Sequence, residues 1–99
     1  MVVFTKGTDF ELSAGNTGIT GEWPVDFNKA SSVDRVLIYH RNIEMNKNDL
    51  YIANRGDVNS AETKDRYNIQ LRHVQYVGTT ALNWKKFADT DRSSIRYLP

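Results

Sequence analysis

Residues 66–77 constrain the fold more than any other part of the chain. Tyr67, Ile69 and Leu71 alternate with Arg66, Asn68, Gln70 and Arg72, the two-residue period of a strand buried on one side. Past His73 the phase changes, because Val74 and Tyr76 fall on the parity that carried polar residues before. A strand that swaps its apolar face midway needs a bulge or a sharp bend at the point of change. Such bends belong to strongly curved sheets and small closed barrels. Gly78 is expected to end the strand.

The rest of the chain supplies partners for it. Val36 and Ile38 on one parity, and Leu37 and Tyr39 on the other, make residues 35–41 a central strand covered on both sides. Residues 42–49 are polar and read as a turn, and Leu50, Tyr51, Ile52 and Ala53 as the return strand of a hairpin. Asn54, Arg55, Gly56 and Asp57 are expected to close that strand. Val2, Val3 and Phe4 form a first apolar run, and Ile95 to Leu98 a last one. Gly15, Gly18 and Gly21 read as a loop with several turns, since glycine accepts positive φ at no steric cost. Thr79 and Thr80 are placed to cap a short helix carrying Ala81, Trp84 and Phe87 on one face. The expected fold is α+β and mainly β: a small curved sheet or partly closed β-barrel of five to six strands, with one or two short helices.

At 99 residues the chain is expected to form a single domain over 1–99. It has no cysteine, which excludes disulfides, thiolate metal sites and cysteine nucleophiles. No run approaches the ~20 apolar residues of a membrane-spanning helix, and no signal-peptide pattern opens the chain, so a cytoplasmic location is expected. A net charge of +1 is far from the balance of a domain built on phosphate contacts. The charge is divided unevenly. Residues 1–50 hold five basic and seven acidic side chains, whereas residues 51–99 hold eight basic and five acidic. An anionic partner is therefore expected to meet the C-terminal half.

Signs of catalysis are sparse. His40 and His73 are the two histidines, and neither sits in a metal-ligand spacing. No metal or cofactor is expected. Glu62, Thr63 and Lys64, with Asp49 or Asp57 upstream, match the acidic and Glu-x-Lys elements of metal-dependent nucleases. That chemistry wants the triplet on a rigid strand, and here it lies in the most hydrophilic stretch, residues 59–65. The glycines at 15, 18 and 21 have the wrong spacing for a phosphate-binding loop and no following lysine. An enzyme is the third reading.

Binding is the richer theme. Two tryptophans and five tyrosines are interleaved with bases, and flat rings can stack on nucleobases while Arg and Lys hold phosphates. Tyr39, His40, Arg41 and Asn42 form the densest group: an aromatic, an imidazole, a guanidinium and an amide leave one buried strand together.

The run Asp34 to His40, the pairing segment Leu50 to Asp57, the bent strand at 66–77, and Asn83, Trp84, Lys85, Lys86 and Phe87 before Ile95 to Leu98 resemble, in that order, the PUA-like superfamily of small barrels, the EVE, ASCH and YTH types among them. The resemblance covers residues 34–98 loosely. It implies binding of RNA or DNA with a modified or flipped base in an aromatic-lined pocket, for which Trp23, Tyr39, His40 and Trp84 would be the lining. With Arg41 and Asn42 these form the expected ligand-binding set, and Arg55, Arg66, Arg72, Lys85 and Lys86 the expected contacts to a nucleic-acid backbone. The leading expectation is a non-enzymatic nucleic-acid recognition module. The alternative is a protein-interaction module, such as a small accessory or phage-type inhibitor protein, which near-neutral charge and scattered tyrosines suit equally well.

Overall fold

The computed structural model describes residues 1–81 and 95–96. Its strands are β1 (Val2–Thr5), β2 (Phe10–Ser13), β3 (Thr17–Trp23), β4 (Arg35–Asn42), β5 (Lys47–Ser60), β6 (Tyr67–Thr80) and β7 (Ile95–Arg96), with one α-helix, α1 (Phe27–Ser31), between β3 and β4. They form one mixed sheet in the order β2-β3-β6-β5-β4-β1-β7. The β1–β4 pair is parallel, and every other described pair is antiparallel. The architecture is the curved, mainly β sheet expected from sequence, with six strands and the two-residue β7 added at one edge.

Chain connectivity forces this sheet to roll up. In a flat sheet β1 and β2 would stand five strand spacings apart, about 24 Å at ~4.8 Å per spacing. Only residues 6–9, a single 3-10 turn, join Thr5 to Phe10, and those five Cα steps span at most about 18 Å. The curl is visible in the packing: the Phe10 ring lies 5.4 Å from His40 of β4 and 5.0 Å from Tyr51 of β5. The roll stays open, because among the described residues β2 pairs only with β3.

Its inner face carries the core. Val3, Val36, Ile38, Ala53, Ile69 and Leu71 are sealed from solvent, with Phe10, Trp23, Val58 and Val74 around them. At one end α1 closes the roll with Ala30, which is fully buried. Asp26 caps that helix, accepting a hydrogen bond from the Lys29 amide at 2.9 Å. The sequence pattern predicts no element at residues 27–31, where this helix lies.

The expected bend in the long strand is present. Ile52 faces Gln75 and Asn54 faces Arg72, so β6 spends one extra residue there, and His73 takes a φ of 51°. This bulge carries the apolar parity from Leu71 over to Val74. A second bulge, between Leu50 and Tyr51, absorbs Val77. Three expectations need correction. Gly78 does not end β6, which runs through Thr79 and Thr80 opposite Asp49 and Asn48. Asn54 to Asp57 do not end β5. They pass through a further bulge and the strand continues to Ser60, because Val58 still has an apolar partner in Ile69. Gly18 and Gly21 lie inside β3, and of that cluster only Gly15 sits in a turn. The helix expected over 81–88 lies outside the described residues.

Candidate functional site

Strand alternation separates the group at 39–42. In β4, Val36 and Ile38 point inward, so His40 and Asn42 share the inner face while Tyr39 and Arg41 stand on the outer one. Tyr39 stacks on Phe4 of β1 with centroids 5.4 Å apart. The Thr5 hydroxyl and His40 Nδ1 are hydrogen-bonded at 2.7 Å. Burial pushes the His40 imidazole below its ordinary pKa, while the Asp49 and Asp9 carboxylates pull it partly back up. Asn42 donates to Asp49 Oδ2 at 3.3 Å and accepts from the Met45 amide. Arg41 donates to Asn46 Oδ1 across the β4–β5 turn. These four residues hold a strand end and its turn together, and they do not converge on one ligand.

The other expected site residues are similarly placed in the framework. Trp23 is 8% exposed, and its indole N–H donates to Thr20 Oγ1 at 3.1 Å. The Thr20 hydroxyl in turn donates to the Asp9 carbonyl, tying the core tryptophan to the 3-10 crossover. Arg55 donates to the Val33 and Gly56 carbonyls, and Arg66 to the Glu22 carbonyl. Trp84, Lys85 and Lys86 lie outside the described residues. Arg72 is held more loosely, with its guanidinium 3.7 Å from Asp57 Oδ1.

The accessible polar chemistry lies on the outer face of β4, β5 and β6. A cavity of about 430 Å³ opens there, lined by Arg35, Ile52, Ala53, Asn54, His73 and Gln75, a volume in the range of small-ligand sites. Register builds it: Arg35 lies opposite Asn54, Ile52 lies opposite Gln75, and the bulge turns His73 toward the same hollow. None of the four polar side chains has a hydrogen-bond or ion-pair partner among the described residues. Among the described residues, then, a guanidinium, two amides and an imidazole stand unpartnered around a half-buried isoleucine. The sequence pattern marks Asn54 as part of a strand end and His73 as the point of the phase change, and none of the four is among the site residues expected from sequence. A turn over 42–49 would set Arg41 against Leu50 and Arg35 against Gly56; Arg35 meets Asn54 because β4 runs on to Asn42 and β5 begins already at Lys47.

The catalytic candidates have no such setting. Glu62, Thr63 and Lys64 are exposed in the turn between β5 and β6. Among the described residues no three His, Asp or Glu side chains are grouped to hold a metal ion. No helix among the described residues is long and apolar enough to cross a membrane. Comparison of the chain with protein-family models, with curated proteins and with solved structures returned no match.

Proposed function

We propose that this protein is a nucleic-acid recognition module that receives an unpaired base on the outer face of its sheet. The observation that carries the reading is the hollow with four unpartnered polar side chains over Ile52. Primary amides present a donor and an acceptor together, which matches the edges of bases, so Asn54 and Gln75 are the readers. Arg35 supplies a phosphate contact or a bidentate base contact. The exposed His73 ring offers a stacking surface. The resemblance to PUA-like barrels supports the same ligand class and belongs to this proposal, as does a cytoplasmic setting.

Fluorescence anisotropy with single-stranded, duplex and modified oligonucleotides at low salt tests the reading. Binding to a single strand is expected, with a log K against log salt slope of about −0.7, since about one phosphate is neutralised at ~0.7 per contact. Absence of affinity for every probe at low salt overturns it.

A second reading has its own observation. Ile43 and Met45, at the tip of the β4–β5 turn, are 80% and 61% exposed, an apolar pair suited to a protein partner. A partner retained in a pull-down after nuclease treatment, and lost on Ile43→Asp, supports that reading.

A further inference from the structure

The outer face has a second hollow on the far side of β6, of about 380 Å³. Alternation places Ser13 of β2, Thr17 and Ile19 of β3, and Gln70 and Arg72 of β6 on its outer walls, while Thr20, Ile69 and Leu71 face the core. The two hollows flank β6, one over β5 and the other over β3. Two strand spacings separate them by about 10 Å across the sheet. Consecutive residues form the ridge between them: His73 lines the first hollow and Arg72 the second. The Arg72 contact with Asp57 is too long for a hydrogen bond at 3.7 Å, and both side chains are well exposed, at 58% and 68%. Such a pair is readily displaced by a better anion.

We infer, on the reading proposed above, that the two hollows are successive subsites for one single-stranded oligonucleotide that crosses β6 with a phosphate on Arg72, and that Asp57 competes with that phosphate. A single nucleotide fills one hollow and leaves Arg72 with Asp57. A dinucleotide or longer strand fills both and exchanges the carboxylate for its bridging phosphate. The shared chemistry is a phosphodiester flanked by two unpaired bases, which either RNA or DNA supplies.

Titration of the full chain with uridine monophosphate, diuridine and tetrauridine, and in parallel with the thymidine series, tests this. Affinity is expected to rise at least tenfold from one nucleotide to two, with amide shifts of Ile19 and Gln70 perturbed only by the longer probes. Asp57→Asn is expected to strengthen dinucleotide binding severalfold and to leave the mononucleotide unchanged. In an Arg72→Ala background the same substitution is expected to have no effect, which separates competition from general charge. Equal affinity for one and two nucleotides, with both still dependent on Arg35, overturns the two-subsite inference and leaves the functional reading standing. Failure of every probe to bind overturns both. The ratio between the two series identifies the sugar.

Discussion

On the inner side of β4 and β5, Val36, Ile38 and Ala53 are sealed and His40 is bonded to Thr5. One residue along the same strands, the Arg35 and Asn54 side chains stand exposed, without hydrogen-bond or ion-pair partners among the described residues. The two sets share a backbone and differ only in parity. The comparison shows how one strand pair in a chain of 99 residues can present a sealed core on one side and an open polar face on the other. Alternation assigns each neighbouring residue to one task or the other, so closeness in sequence is a poor guide to a shared site. The group at 39–42 is the instance: four chemically suggestive neighbours are dealt two to each face.

The contrast can be attacked first from the core. Ile38→Ala removes a side chain with no exposure and should cost about 2–5 kcal/mol in urea denaturation, an upper range set by how little the roll can collapse. Thr20→Val takes the acceptor from the buried Trp23 indole and the donor from the Asp9 carbonyl, and should cost about 1–3 kcal/mol by the same measurement. On the outer face the pattern should invert. Arg35→Ala combined with Gln75→Ala should move stability by no more than about 0.5 kcal/mol while weakening oligonucleotide binding about tenfold. A large loss of stability in that variant would show that these groups belong to the framework.

His73 sharpens the comparison further, since its φ of 51° is one that glycine accepts and histidine does not favour. His73→Gly should raise stability by roughly 0.5 kcal/mol in denaturant titration and lower affinity, the opposite signs expected of strain kept at a binding face. The smallest effect is a titration on the inner face. The folded pKa of His40 lies below its unfolded value of 6.5, so the unfolded chain takes up the proton first. Stability from this group is fully present above pH 6.5 and declines as pH falls through the folded value. Chemical denaturation from pH 7.5 downward should show that decline, and His40→Gln should flatten it.

Much of the fold was legible because period-two alternation needs no knowledge of partners. The β4–β5 hairpin and the bend at His73 follow from local pattern, since a change of apolar phase has few solutions other than a bulge. The lengths of β5 and β6 were not legible in the same way. Residues 54–60 look like a turn by composition, and they stay in the sheet only because Ile69 and Leu71 lie opposite them. The role of Trp23 was hidden for a similar reason. Whether a tryptophan beside glycines fills a core or rims a pocket depends on Thr20 and the crossover, which the sequence does not bring together. Arg55 and Arg66 read as free cations because carbonyl acceptors leave no trace in a residue list.

The sequence by itself determined a cysteine-free, curved β sheet with a bulge at a known residue, because alternation and phase are properties of consecutive residues. Only the tertiary structure decided which polar groups are spent and which are free. That outcome depends on register across strands, on a four-residue crossover that forces the sheet to roll, and on backbone acceptors brought near by both. The free groups surround a hollow on the outer face because the roll turned the other parity inward.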